Sequence, residues 1–574
     1  MKGDSRMKAT PANSKRDRAH GALSTPGQGS SLSQRELVCW SLLFGLLNIV
    51  LHFPFLFHYA LYFQSQNAIC FLLPKRMLLG EFYVYQWGSD YGGIGPGDFL
   101  TALLFKLFGA SIPVAGFISL LYWGAGVGLL AGYFGLCFGK RALIGSGCAL
   151  TIGMPFFLKY STQPFGTDYN TTAFFVGAFL WLAVWNLRKG PTSWLTVLTA
   201  LFMGWFWYAH KHVLVIWASI GLAMLAVPEG RAFLMRFLRS KMALLSLIAF
   251  LVGYSPEILY KMGAIDNAKE RQHGVLLGLE PPEKIAGNWY MMLRCLGTYF
   301  DFDPWGRAPV DVDYLNHMEN WESFPLSAVD TVGVIAAFIV IAYILRMMIR
   351  SYRRRDFQVL ALSGCVFVDG ALILVSARSD ASYYSIQRYL LPAGFVALGW
   401  LGVRLAKDLQ AGKWLRAAPL ALLLGLSTVH QEQLLQVPDS LANYREITRH
   451  IAAKGYKYGI SWYHYSHLLT SLSNEKVQFA ILDYSFQSPY QKPALEADTV
   501  AVVWPAKNAP PFEFAQQLLL GGVRFKDDAI RQLPDSITIL SNQYTRVGEP
   551  DIVGDLAWAP YHKAGPVFNL FGTH

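Results

Sequence analysis

The chain has 574 residues, of which 53% are hydrophobic, 15% are aromatic and only 15% are charged, and its mean hydropathy is +0.30. This composition excludes a soluble or disordered chain and predicts a polytopic α-helical membrane protein. The net charge of +11 would suit a nucleic-acid surface, but the Lys and Arg residues lie between hydrophobic runs, so we expect no nucleic-acid partner.

Residues 1–34 predict a disordered basic arm in the cytoplasm, since they are rich in Ser, Gly, Pro, Lys and Arg and lack the apolar core of a secretory signal. Residues 35–436 then predict a transmembrane domain of about eleven helices. The expected spans are 36–57, 112–138, 142–158, 171–187, 192–208, 212–227, 242–260, 328–345, 357–376, 389–404 and 417–435. With a cytoplasmic N-terminus, all five loops that return to the cytoplasm are basic, which supports this topology.

Two large external loops, 58–111 and 261–327, interrupt the spans. In the first loop, 58–80 and 99–109 predict short helices at the membrane interface. Between them, 88–97 contains six Gly or Pro residues and predicts a shaped loop that lines a cavity. The glycines of 124–135 predict close helix packing in lipid.

The C-terminal segment, 437–574, predicts a small extracytoplasmic α/β domain. The expected strands are YKYGISWY, VQFAIL, TVAVVWP and SITIL, and the expected helices are SHLLTSLS and FAQQLLLGG. Because this segment has no cysteine and no nucleotide-binding loop, a scaffold or lid over the membrane part is the simplest interpretation.

Carboxylates beside the aromatic, Gly-rich loops are the first candidates for chemistry. Glu81, Asp90 and Asp98 lie in the first external loop, and Asp168 lies in the second external turn. Ionisable groups at membrane level are costly and often mark sites. A helix N-cap is the competing interpretation for Asp168, and for Asp98 it is the stronger one.

Cations at the same face are the second group of candidates. Lys159, the turn His210–Lys211–His212, Arg378 and Arg388 could bind a lipid phosphate, which Arg can hold in a bidentate way. The alternative is that Lys and Arg side chains reach the headgroups without a ligand. We expect no metal at His210 and His212, because an i, i+2 pair on a helix points to opposite faces and no third ligand is evident.

The chain resembles the lipid-linked-sugar glycosyltransferases of the C type, often called GT-C. The resemblance covers most of the membrane part and rests on an ordered set of segments. These are LLGEFYVYQWGSDYGGIGPGDFLTALLFKLFGAS, FGTDYN, GYSPEILYK, SYYSIQRYLLP and GYKYGISWYHYSHLLTSLSNEKV.

This resemblance implies transfer of a sugar from a polyprenyl-phosphate donor, usually with inversion, at the external face of the bacterial inner membrane. The acceptor would be an envelope glycan, lipid or protein. Asp90 would be the catalytic carboxylate of the first loop, with Asp168 as its partner and Asp98 as the alternative. The lipid phosphate would contact Arg388 or Lys159. Further contacts to phosphate or substrate are assigned to Arg378, His210, Lys211 and Glu81.

The chain departs from this family in one place, because the stretch HYALYFQSQNAICFLLPKR has no acid before Glu81. Two alternatives therefore stay open: a flippase or exporter of a lipid-linked intermediate, and a non-catalytic membrane assembly factor. No cofactor is assigned. An external loop with Asp301 and Asp303 leaves a divalent cation open, although DFD is too short a motif to predict a site.

Overall fold

The computed structural model describes about seven tenths of the chain. The described residues are 32–61, 63, 65–87, 93–164, 169–263, 285, 288–289, 292, 328–375, 388–436, 439, 441–481, 488–505, 535–539, 542–553 and 556–566. Residues 1–31 of the predicted arm, nearly all of the loop 261–327 with Asp301 and Asp303, and the predicted helix FAQQLLLGG lie outside these residues.

Helices form in each of the eleven predicted intervals. In chain order they are α1 (Gln34–His52), α2 (Ser65–Leu78), α3 (Pro96–Phe108), α4 (Ile112–Phe138), α5 (Lys140–Ile152), α6 (Pro155–Thr162), α7 (Thr172–Lys189), α8 (Trp194–Ala209), α9 (Val213–Ala226), α10 (Pro228–Leu238), α11 (Lys241–Lys261), α12 (Ala328–Arg354), α13 (Phe357–Val375), α14 (Leu391–Gln410) and α15 (Trp414–Leu434). Short 3-10 helices at Phe53–Leu61 and Tyr169–Thr171 join α1 to α2 and precede α7.

Five of the described helices are long and apolar enough to cross a membrane, and the number rises to seven if each of two bent pairs counts as one span. The bends are 75° between α5 and α6 and 106° between α9 and α10. These helices agree with a polytopic membrane protein, whereas the number of about eleven spans stays a prediction.

Small residues set the spacing of the helices. A Cβ on Gly204 of α8 would lie 2.0 Å from the carbonyl oxygen of Phe250 on α11. A Cβ on Gly124 of α4 would lie 2.9 Å from the carbonyl oxygen of Gly45 on α1. The backbones of both pairs therefore touch, which is the close packing expected of glycine in lipid.

Aromatic side chains fill the centre of the bundle. The ring of Trp123 on α4 lies 5.6 Å from Phe157 on α6 and 5.5 Å from Phe395 on α14. Phe134 and Trp400 pack edge to face at 5.5 Å. These rings are buried, so this core holds α4, α6 and α14 together.

The C-terminal domain consists, in chain order, of α16 (Ala442–Ala453), β1 (Tyr458–Ser461), α17 (Tyr463–Leu472), β2 (Gln478–Ile481), α18 (Gln491–Glu496), β3 (Thr499–Pro505), β4 (Ser536–Ile539), β5 (Asn542–Arg546), β6 (Asp551–Val553) and β7 (Leu556–Pro566). Its strands form a seven-stranded sheet in the order β2-β1-β3-β7-β5-β4, with β6 paired to β7. β1 pairs in parallel with β2 and β3, and β7 is antiparallel to its neighbours. The four predicted strands and the helix at SHLLTSLS form, whereas β5, β6 and β7 were not predicted.

The C-terminal domain packs on α2 of the first loop. Glu475 pairs with Lys75 at 2.5 Å and with Arg76 at 3.3 Å, and it accepts a hydrogen bond from the Tyr490 hydroxyl at 2.6 Å. Burial raises the pKa of the Glu475 carboxyl, but the hydrogen bonds from Lys75 and Tyr490 outweigh it and leave this pKa below its usual value.

A buried histidine completes the contact between the domain and the first loop. His467 on α17 lies within hydrogen-bond distance of the Ser65 hydroxyl at 3.3 Å, and its ring is 5.7 Å from the ring of Trp87. Burial lowers the pKa of His467 to about 3, so the imidazole is neutral. The domain therefore holds both α2 and the residue that precedes the Gly-rich loop.

Candidate functional site

Tyr169 is the centre of an aromatic and cationic group at the ends of several helices. It begins the 3-10 turn before α7, and this turn is fixed by Asn170, whose side-chain amide donates to the Ser119 hydroxyl at 3.0 Å and to the Tyr160 carbonyl at 2.9 Å. We call the set of Tyr169, His210, His212, Arg388 and Tyr389 the Tyr169 cluster.

The turn between α8 and α9 supplies two members of this cluster. His210 ends α8, with its N–H donated to the Phe206 carbonyl at 2.8 Å, and the helix resumes at Val213. The His210 ring lies 5.1 Å from the Tyr169 ring and 5.6 Å from the His212 ring. Because this segment is a turn, the opposite-face argument for a helical i, i+2 pair does not apply, and both rings reach Tyr169.

The start of α14 supplies the cation. The Arg388 guanidinium lies over the Tyr169 ring at 5.5 Å and over the Tyr389 ring at 5.1 Å. Two aromatic faces hold the guanidinium plane, and one of its N–H groups donates to the Tyr389 hydroxyl at 3.4 Å.

Lys159 approaches the cluster from α6. It is only 3% exposed, and its ammonium lies 5.8 Å from the ring centre of Tyr160. The Tyr160 ring lies 5.7 Å from the Tyr169 ring. The structure thus brings two of the sequence-predicted residues, His210 and Arg388, to Tyr169, and it places Lys159 beside Tyr160, whose ring packs on Tyr169.

Asp369 on α13 is fully buried, at 0% exposure, and contacts the cluster through His212. One carboxylate oxygen lies 3.2 Å from Nε2 of His212, and the other accepts the backbone N–H of Ala393 in the first turn of α14 at 3.0 Å. The sequence marks Asp369 as an ionisable residue within a span but does not indicate this histidine partner, because 157 residues separate the two.

Lys211, which lies between the two histidines, contacts a different carboxylate. It donates a hydrogen bond to Glu257 of α11, which is 2% exposed and also pairs with Lys261 at 2.8 Å. The Lys211 ammonium lies 5.3 Å from the ring centre of Tyr254. The charge of Lys211 is therefore balanced within the protein. Glu257 is an acid beside the turn His210–His212 that was not predicted as a site residue from the sequence.

The loop 58–111, which is predicted to be external, is attached to the same end of α8. Tyr85 and Gly93 form an isolated β-bridge, and the Gly93 N–H donates to the Ala209 carbonyl at 3.2 Å. The Tyr208 hydroxyl also donates to the Val84 carbonyl. Asp90 lies outside the described residues, but the residues that flank it on both sides of the loop are anchored next to His210.

The other predicted residues of this loop have structural contacts. Asp98 is 2% exposed, and its Oδ2 accepts the Gly95 N–H at 2.9 Å, which is a capping-box contact at the start of α3. Glu81 pairs with Arg76 at 3.1 Å and accepts the Tyr83 hydroxyl at 2.7 Å. Burial and this hydrogen bond raise the pKa of Tyr83.

Two further predicted residues, Asp168 and Arg378, lie outside the described residues. Asp168 directly precedes Tyr169 in the chain. The roles assigned to all the predicted site residues stay predictions: Asp90, Asp98, Asp168, Arg388, Lys159, Arg378, His210, Lys211 and Glu81.

Within the described residues, no group of three or more His, Cys, Asp or Glu side chains could hold a metal ion. This result does not test the divalent cation that the sequence leaves open, and that cation stays a prediction. The described cluster offers instead one guanidinium, two imidazoles and two phenol rings, a set that can bind an anion by charge-assisted hydrogen bonds and stack against a sugar or another flat group.

No protein-family model matches the chain, and no curated protein sequence matches it. Among solved structures, it is similar to the oligosaccharyltransferase of Archaeoglobus fulgidus in complex with Zn and sulfate, at 14% identity and a TM-score of 0.47 over 81% of this chain and 67% of that chain. It is also similar to ArnT from Cupriavidus metallidurans bound to undecaprenyl phosphate, at 12% identity and a TM-score of 0.46 over 93% of this chain and 99% of that chain.

The likeness is one of fold alone, because identities of 12–14% and TM-scores below 0.5 transfer no residue role, substrate or acceptor to this chain.

Proposed function

We propose that this chain is a membrane glycosyltransferase that moves a sugar from a polyprenyl-phosphate donor to an envelope glycan, lipid or protein acceptor. The observation that carries the proposal is the Tyr169 cluster. It joins Arg388 and His210, both predicted as phosphate contacts from the sequence, to the residue that follows the predicted carboxylate Asp168.

The chemistry needs an anion-binding group and a base. As the bond between the sugar C1 and the phosphate oxygen breaks, its electron pair stays on the phosphate, whose negative charge increases. Arg388 meets this charge with hydrogen bonds that strengthen in the transition state. The acceptor oxygen bonds to C1 on the opposite face, with inversion, and its proton passes to a carboxylate, for which Asp90 and Asp168 are the candidates.

The location of the cluster supports a reaction at the external face. The anchored first loop lies at this end of the helices, and the C-terminal domain packs on α2 of the same loop. The basic loops predicted to be cytoplasmic, such as Lys140 at the start of α5, belong to the other helix ends. We propose the bacterial inner membrane as the location.

The test uses the purified full-length chain in lipid vesicles with a polyprenyl-phosphate-linked sugar fraction and an envelope acceptor fraction. Release of free polyprenyl phosphate that depends on the acceptor is expected. Arg388→Ala should lower kcat by about 100-fold, the usual cost of removing a transition-state hydrogen-bond donor. Arg546→Ala, which removes a half-buried arginine paired with Asp535 in the C-terminal domain, is the matched control and should keep the parent rate.

The same assay separates the alternatives. Movement of the lipid across the bilayer without cleavage would favour a flippase, and neither movement nor cleavage would favour an assembly factor. Asp90→Asn and Asp168→Asn test the base: if both variants are correctly inserted and transfer sugar as fast as the parent, the assignment of these carboxylates is wrong.

A further inference from the structure

The pair of His212 and Asp369 has a geometry that fixes one ring nitrogen and leaves the other for a ligand. A carboxylate only accepts hydrogen bonds, so Nε2 of His212 carries the proton that points to Asp369. Asp369 is itself held by the N–H of Ala393, so its carboxylate cannot turn away without losing that bond. The histidine is thus oriented by a group that is oriented in turn.

The second ring nitrogen, Nδ1 of His212, is buried and has no hydrogen-bond partner among the residues that the structure describes. A buried polar atom without a partner costs free energy, unless a ligand completes its hydrogen bond. The ring that carries it lies 5.8 Å from Tyr389 and 6.4 Å from Tyr169, on the side of the fold where Arg388 stacks on both tyrosines.

The charges around His212 favour an anion as this ligand. The groups that contact His212 are Asp369 from α13, His210 from its own turn, Tyr169 before α7 and Tyr389 just before α14, and Arg388 stacks on these two tyrosines. Lys211 is occupied by Glu257. Asp369 contacts Nε2, so a ligand at Nδ1 approaches the ring at its other nitrogen, away from that carboxylate contact, and the Arg388 guanidinium lies on the two tyrosines that pack against the ring.

We propose that Nδ1–H of His212 donates a hydrogen bond to a non-bridging oxygen of the lipid phosphate, beside Arg388, and that Asp369 is the positioning residue that holds His212 for this contact. The inference rests on the proposed function, because it takes the phosphate of a polyprenyl phosphate as the ligand. In this proposal His212 acts as an imidazolium with one proton on each ring nitrogen. No covalent bond to His212 forms, and both protons stay on the ring while the phosphate gains its second charge.

The experiment measures binding rather than transfer. The purified full-length protein in detergent is titrated with undecaprenyl phosphate, with undecaprenol and with inorganic phosphate, and binding is followed by tryptophan fluorescence. His212→Asn and Asp369→Asn should each weaken undecaprenyl phosphate binding by about ten-fold, as expected for one hydrogen bond to a charged group. Binding of undecaprenol should stay at the parent value, which also shows that the variants are folded.

The double variant identifies the positioning role. If Asp369 acts through His212, the double variant binds undecaprenyl phosphate no more weakly than the weaker single variant, whereas independent structural effects would add. His450→Asn and Asp551→Asn are matched controls, since they remove an exposed His–Asp pair at 3.3 Å in the C-terminal domain, and both should bind as the parent does.

Three results would overturn the inference: parent-like binding by His212→Asn, additive losses in the double variant, or equal losses for undecaprenol and undecaprenyl phosphate. Inorganic phosphate that binds as tightly as the lipid would mark a site for free phosphate and would overturn it too. If the variants lose binding while the parent transfers no sugar, the subsite stands and the proposed function fails. If the parent transfers sugar but His212→Asn binds normally, the proposed function stands and the His212 subsite fails.

Discussion

Gly93→Ala should displace the loop 58–111 from the end of α8. A Cβ at Gly93 would lie 2.4 Å from two ring carbons of Tyr208, whereas carbon atoms in contact are normally about 3.5–4.0 Å apart. The Tyr208 ring cannot easily move by the roughly 1 Å required, because it is buried, packs on Tyr85 at 5.4 Å and donates its hydroxyl to Val84. The loop must move instead and give up the hydrogen bond from Gly93 to Ala209.

The expected cost of Gly93→Ala is about 1–3 kcal/mol, the usual range for overpacking. Since the displaced loop contains Asp90, kcat should fall by more than the loss of folded protein explains. The assays are the melting temperature in detergent and kcat for release of polyprenyl phosphate. Gly221→Ala is the control, because a Cβ there meets nothing within 4 Å.

A second substitution checks the cause of this loss. Tyr208→Ala makes room for the new methyl group, so the effect of Gly93→Ala should be smaller in that background than in the parent. The reasoning is refuted if Gly93→Ala behaves like Gly221→Ala, or if its effect is unchanged when Tyr208 is shortened.

Three further predictions concern stability. Because the pKa of Glu475 is lowered by its cationic partners, its contribution is present above pH 4.5 and lost below it, so Glu475→Gln should flatten the fall in melting temperature on acidification in that range. Because burial lowers the pKa of His467 to about 3, stability should fall as the pH drops below 6.5, where the unfolded imidazole takes a proton, and in His467→Gln that part of the slope should disappear. Gly204→Ala should lower the melting temperature clearly more than Gly221→Ala, since its Cβ would meet the Phe250 carbonyl oxygen at 2.0 Å; equal melting temperatures would contradict the packing argument.

The local features of the fold could be predicted well from the sequence. Hydrophobic runs gave the helix positions, and the glycines of 124–135 indicated the close contact that Gly124 makes with Gly45. Strands β1 to β4 followed from their residue types. The later strands β5 to β7 did not, because Pro560 and the charged or polar residues along NQYTR and LAWAPYHKAGP hide the alternation of a strand.

The candidate site could be predicted only in part. Individual charged residues such as Arg388 and His210 stood out, since charges at membrane level are rare. Their partners did not, because Tyr169 and Tyr389 resemble any interfacial aromatic residue and Asp369 meets His212 only through the packing of α9 on α13. Lys211 shows the converse: its charge suggested a phosphate contact, but a carboxylate from α11 balances it.

The most direct test of this account is an experimental structure of the full-length chain with undecaprenyl phosphate bound. The account predicts that the phosphate lies in the Tyr169 cluster, within hydrogen-bond distance of the Arg388 guanidinium and of Nδ1 of His212, about 2.7–3.0 Å between heavy atoms. A phosphate bound elsewhere in the protein, or a Tyr169 cluster that stays unchanged and unliganded at saturating lipid, would contradict it.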